Sequence, residues 1–73
     1  MSLLRQARLK AGLSIEKAAK NLSISAGYLS QIENGRRNVG TETAIKISKY
    51  YNLKIEDIFL ASRYAVREVE EPA

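Results

Sequence analysis

Apolar residues recur along this chain at helical rather than strand spacing. Leu4, Ala7 and Ala11, with Leu3 beside Leu4, lie three and four residues apart and predict a helix from about Ser2 to Ala11. Ile15, Ala18, Ala19 and Leu22 repeat the pattern and predict a short amphipathic helix that ends near Asn21 or Leu22. Leu29 and Ile32 share one face of a third helix that ends at Glu33. In a fourth, starting at Gly40 or Thr41, Ala44, Ile47, Ser48 and Tyr51 face inward, with Ile45 at the margin. A fifth opens near Glu56-Asp57 and buries Ile58 and Phe59 beneath Leu53 and Ile55.

The residues between these runs are those that start and stop helices. Gly12 suits the left-handed position that ends the first helix. Ser14 is a cap for the second, and Glu16 sits in its first turn, where the helix dipole favours an acid. Ser23-Ile24-Ser25 is a brief break whose last serine caps the third helix. Asn34-Gly35 stops that helix; no alternating strands flank the pair, so it is not read as a hairpin turn. Arg36 to Gly40 is a polar loop, and Asn52, which tolerates the left-handed region, closes the fourth helix. The expected fold class is all-α: a compact five-helix domain over residues 1–60, followed by a tail over 61–73.

Composition removes whole classes of function. The chain has no Cys and no His, which excludes disulfides, thiolate and imidazole metal sites, and the Cys or His chemistry of most hydrolases. No metal and no cofactor is expected. Glu16, Glu33 and Glu42 have no partner constellation around them, so an enzyme is not expected. There is no apolar leader and no membrane span, so a cytoplasmic protein is expected and a membrane partner is not. Charge is divided unevenly: ten Lys and Arg face three acids up to Lys54, and two Arg face five acids from Ile55 onward, giving the net +4. A basic body points to a polyanionic partner.

The second and third helices, three residues apart, make a helix–turn–helix, a pair that sets its second helix in the major groove of duplex DNA. The outer face of that second helix is Ala26, Gly27, Ser30, Gln31 and Asn34, all small or polar, with no acid to repel phosphate. The tract from Leu13 to Gly35, LSIEKAAKNLSISAGYLSQIENG, resembles the lambda-repressor-like helix–turn–helix of phage repressors, Cro proteins and Xre-type bacterial regulators. The resemblance runs from about Leu3 to Phe59, and YLSQIENGRR followed by TETAIKISKYYNLKIEDIF carries it most specifically. Two positions depart from the pattern: Ser23, where many relatives have Gly, and Gly40, where many have a Ser or Thr cap.

The resemblance implies roles position by position. Ser25, Ala26, Gly27 and Gln31 fall where relatives reach base edges, and a Gln amide suits adenine N6 and N7. Asn34, Arg36 and Arg37 fall where relatives grip the phosphate backbone, with Ser30 and Tyr28 beside them. Tyr28 has two readings, a hydroxyl donated to phosphate or a ring that only packs. Ser14 and Ile15 open the second helix, whose amides and dipole suit a phosphate. Arg8 and Glu33 correspond to a partly buried ion pair that joins the first helix to the end of the third, a scaffold rather than a DNA contact.

Double-stranded DNA is thus the expected partner, and relatives usually bind it as homodimers on two-fold symmetric operators. Ile55, Phe59, Leu60, Tyr64 and Val66 are the expected dimer surface. The tail has three readings: an added strand, an extension of the fifth helix, or a frayed end. The leading function is a sequence-specific transcriptional regulator, a repressor acting by operator occupancy. The alternatives are an antitoxin or other partner-controlled module whose tail binds a second protein, and a controller of a restriction–modification operon.

Overall fold

Three serines start three helices in the same way. Ser2, Ser14 and Ser25 each hold an extended backbone and accept, through Oγ, the N–H three residues on, at Arg5, Lys17 and Tyr28, each at 3.1 Å. A donor that would otherwise lack a partner is thereby satisfied at each start. In the computed structural model, which describes residues 1–60 and 66–68, these caps open α1 (Leu3–Lys10), α2 (Ile15–Leu22) and α3 (Ala26–Glu33). α4 (Thr41–Tyr50) and α5 (Ile55–Ile58) follow. Gly40, at the start of α4, has no side chain to cap it. The fold is the expected five-helix, all-α arrangement, with the helix–turn–helix at α2 and α3.

The first four helices also end alike. Gly12, Ser23, Gly35 and Asn52 all take positive φ. At each, two N–H groups fold back onto the last turn, as Gly12 N–H does to Leu9 C=O and Leu13 N–H to Arg8 C=O. This is the Schellman arrangement. Ser23 (φ 58) has neither the freedom of Gly nor the tolerance of Asn. It supplies the turn between α2 and α3, so the bend of the helix–turn–helix carries local backbone strain.

The core unites all five helices. Leu4, Ala18, Ala19, Leu22, Leu29, Ile32, Ala44, Ile47, Ile58 and Phe59 are buried in one cluster. Leu13 and Ile24, each one residue before a serine cap, pack against it and fix the angle at which the chain enters α2 and α3. Ser48 is buried as expected and donates to Ile45 C=O at 2.9 Å. Val39 is buried too, inside the polar loop from Arg36 to Gly40. A lone apolar residue has no period to betray it.

The end of the chain departs most from expectation. α5 is a single turn that stops at Ile58, and Phe59 is extended. Residues 66–68 return antiparallel beside it. Phe59 bridges to Val66 and Ser2 to Glu68, Arg67 N–H donates to Ile58 C=O at 2.7 Å, and Leu3 N–H donates to Arg67 C=O at 2.8 Å. Arg67 Nε also donates to Glu56 C=O at 2.7 Å. The added-strand reading thus describes residues 66–68 better than an extension of α5. Val66, beyond residue 60, belongs to the core. Leu53, expected above Ile58 and Phe59, is instead 43% exposed.

Replacing Ser23 with Gly relieves the left-handed strain at the cost of some chain entropy. Ser23→Gly should stabilise the domain by about 0.5–1 kcal/mol. Urea unfolding of the two proteins checks this; an unchanged or lower midpoint would show that Ser23 is not strained.

Candidate nucleic-acid interface

α3 is held from beneath by Arg8. Its Nε donates to both Glu33 oxygens, at 2.9 and 3.2 Å, and Nη2 donates to Glu33 Oε1 at 3.2 Å. Nη1 donates to Leu13 C=O at 2.9 Å. Both side chains are nearly excluded from solvent. One guanidinium therefore ties α1 to the end of α3 and to the residue before the cap of α2. Arg8 and Glu33 thus form a buried ion pair.

A polar pocket of about 210 Å³ opens above that pair, lined by Arg5, Arg8, Ile15, Ser30, Glu33 and Asn34. It brings together Ile15, Ser30 and Asn34, three of the residues expected to meet phosphate. Asn34 Nδ2 donates to Ser30 Oγ at 3.4 Å, so these two are already linked. Arg5 was not among the expected contacts. Its signal was its position three residues before Arg8, which places both on the same side of α1.

Along α3, Ser25, Gly27, Gln31 and Asn34 are exposed and Ser30 is half-buried. Ser25 Oγ is engaged as a cap acceptor, but its hydroxyl proton remains free to donate. Ala26 differs from its expected place. It is half-buried against the core, so its methyl is only partly available outward. Ser14, like Ser25, is engaged as a cap. A Cβ built on Gly27 meets nothing within 4 Å and its φ is not positive, so the protein itself does not require glycine there.

Arg36 and Arg37 follow on the loop and are exposed. Among the described residues neither lies within ion-pair distance of an acid. Gly35 turns the chain back, and Arg36 N–H donates to Gln31 C=O at 2.9 Å, which anchors the loop to the helix. The Arg37 guanidinium carbon lies 5.0 Å from the centre of the Tyr28 ring. Tyr28 is partly buried and packs against the core.

The expected dimer surface is smaller than read from sequence. Phe59 is 1% exposed and Val66 6%, both inside the chain's own core, because the returning segment pairs with Phe59 and covers it. Ile55 is half-buried and Leu60 exposed. Tyr64 lies outside the described residues. No described helix is long and apolar enough to cross a membrane.

Beside the clamp, the Tyr51 hydroxyl is buried with no hydrogen-bond partner among the described residues. Burial first, and the Glu33 carboxylate second, push its pKa up to about 12. Its ring meets Tyr50 edge-on at 4.9 Å, and Tyr50 Oη accepts from Asn21 Nδ2 at 2.7 Å, joining α4 to α2.

Comparison with known proteins places this geometry. A helix-turn-helix family profile matches residues 4–58, most of the chain and all five helices. An uncharacterized HTH-type transcriptional regulator of Methanocaldococcus jannaschii is 40% identical over 48 residues, 66% of this chain and 73% of that protein. One from Archaeoglobus fulgidus is 32% identical over 57 residues, 78% of this chain and 81% of its own length. The HTH-type transcriptional regulator ImmR of Bacillus subtilis is 38% identical over 53 residues, 73% of this chain but only 42% of ImmR.

The Tyr51 phenol predicts an alkaline weakness. Its pKa is higher folded than unfolded, so the unfolded chain loses this proton first as pH rises past 10. Stability from this group is therefore present below pH 10 and lost toward pH 12, on the order of 2 kcal/mol in total. Tyr51→Phe should remove that fall and be near neutral at pH 7, since the hydroxyl leaves no bond unmade. Urea unfolding at pH 7 and pH 11 checks both; equal alkaline losses in the two proteins would refute it.

Proposed function

The chain belongs to the Cro/Xre-type helix-turn-helix family of DNA-binding transcriptional regulators, and we propose that it is a homodimeric repressor that reads a palindromic operator through α3. The observation that carries this reading is the outer face of α3 and the loop after it. Gly27, Gln31 and Asn34 are exposed, no acid stands among them, and Arg36 and Arg37 follow with their charges unpaired among the described residues. Polar side chains that can enter a major groove thus adjoin cations that can hold its phosphates.

In this reading Gln31 reads a base edge and Gly27 lets the helix backbone approach the duplex. Ser25 offers its hydroxyl proton, and Ala26 adds the exposed part of its methyl. Ser30, Asn34 and Arg5 meet one phosphate at the pocket beside α2, where the N-terminal amides of Ser14 and Ile15 add positive potential. Arg36 and Arg37 meet the backbone on the far side of α3. Bound dimers block polymerase by occupying the operator. Ile55 and Leu60, with Tyr64, supply the surface between copies. The engagement of residues 66–68 with the chain's own core favours a self-contained regulator over an antitoxin or other module whose tail is taken up by a partner.

Selection of binding sites from a random duplex pool at near-physiological salt tests the proposal. The expected result is a palindrome whose half-sites lie about one helical turn, ~34 Å, apart. Weak binding with no sorted sequence would overturn it. Gln31→Ala should relax preference at one or two positions, at about 1–3 kcal/mol per lost bidentate contact. An unchanged site preference would remove Gln31 from the reading set. Arg36→Ala should weaken all duplexes alike and flatten the dependence of affinity on salt by about one charge. Identical salt slopes for the two proteins would show that Arg36 meets no phosphate.

A further inference from the structure

Arg36 and Arg37 are neighbours with the same charge, yet the structure treats them differently. Arg36 extends from the loop with no stacking partner among the described residues, whereas Arg37 lies over the Tyr28 ring at 5.0 Å. Tyr28 is a firm support. Its backbone N–H is fixed by the Ser25 cap, and Tyr28 itself packs against the core. The loop that carries Arg37 is fixed as well, by the turn at Gly35 and the bond from Arg36 N–H to Gln31 C=O.

Stacking uses only the π face of a guanidinium. Its five N–H donors lie in the plane and point outward at the rim. A guanidinium held by its face is therefore oriented without losing the edge that forks onto a phosphate. No acid lies within ion-pair distance among the described residues to compete for that edge.

We propose that Tyr28 is a positioning residue whose ring, rather than its hydroxyl, seats Arg37 so that the guanidinium edge meets a DNA phosphate already oriented. This rests on the DNA-binding reading above. It assigns the two arginines different work. Arg36 acts as a charge that Lys replaces, while Arg37 acts through its planar shape, which Lys lacks.

The test uses the full chain and a duplex of the sequence recovered from the selection, followed by fluorescence anisotropy at fixed salt. Tyr28→Phe should bind within about twofold of wild type, and Tyr28→Leu about three- to fivefold more weakly. In an Arg37→Ala background, Tyr28→Leu should add nothing further. Arg37→Lys should lose nearly as much as Arg37→Ala, and Arg36→Lys should lose little. In the free protein, NMR should find the Arg37 side-chain protons shifted upfield by the ring in wild type and Tyr28→Phe. Melting curves confirm that each variant is folded at the assay temperature. Tyr28→Phe, Arg37→Lys and the ring-current shift decide the matter even where Tyr28→Leu does not fold.

Three results would overturn the proposal while leaving DNA binding intact: a loss in Tyr28→Phe as large as in Tyr28→Leu, full binding by Arg37→Lys, or Arg37 protons without a ring shift. A wild type that binds no duplex at any salt would instead remove the DNA reading, and the role of Arg37 with it.

Discussion

The buried contact between Arg8 and Glu33 is the constraint on which the geometry of the reading helix depends. α3 makes most of its contacts with α2, its sequence neighbour, and two short helices joined by a tight turn have little to fix their register against the rest of a small domain. The guanidinium supplies that reference. It reaches from α1 to both oxygens of the last residue of α3 and to the carbonyl just before α2. Removing either partner strands a charge away from water, at a cost of about 3–5 kcal/mol. That is a large share of the stability of a domain this size. The pair is better understood as a device for orientation than as a net source of stability, since desolvation offsets much of its attraction. Arg8 and Glu33 both line the polar pocket, so the pair that orients α3 also forms part of its wall.

The helices were legible because their ends follow local chemistry. Ser14 and Ser25 cap as expected, Gly12 and Asn52 take the left-handed turns, and the buried positions of α2 to α4 follow the three- and four-residue spacing, whereas in α1 Leu4 is buried, Ala7 half-buried and Ala11 exposed. What the sequence hid was long-range. Val39 fills the core from a loop, where one apolar residue among polar neighbours has no pattern. The sequence places Phe59 both beneath Leu53 and Ile55 and on a surface for a second copy, and Val66 on that surface alone. They are each other's cover. Their pairing depends on a chain reversal that local spacing does not encode, because a strand this short has no alternation to read. In the interface, Gln31, Asn34, Arg36 and Arg37 stand exposed as their residue types suggested. Ala26 is half-buried, since its place in the first turn of α3 brings its methyl partly against the core. Arg5 escaped notice because its neighbours in the pocket come from three different helices.

Electrostatics and shape divide the surface. The acids before Ile55 are few, and the only one on α3, Glu33, is neutralised in the clamp. Glu16 and Glu42 each stand in the first turn of a helix, where they balance the dipole. The positive potential of the loop after α3 is thus left without a compensating acid within ion-pair distance among the described residues. Among the described acids of the C-terminal part, Glu68 meets the Met1 ammonium at 3.3 Å in an exposed pair of little energetic weight.

The return of residues 66–68 determines when the domain is complete. α2 packs chiefly on α3 and α4 on α5, pairs adjacent in sequence, and such contacts form early, whereas α1 packs on α5. The bond from Leu3 N–H to Arg67 C=O joins residues nearly a whole chain apart, and closures of that length come late. A nascent chain emerges from its N-terminus, so α3 is made well before the residue that covers Phe59. Until Val66 arrives, the largest aromatic of the core has an open side. The order of synthesis therefore places sealing of the interior after the reading helix has formed, and the last few residues to fold act as a latch on a structure already shaped.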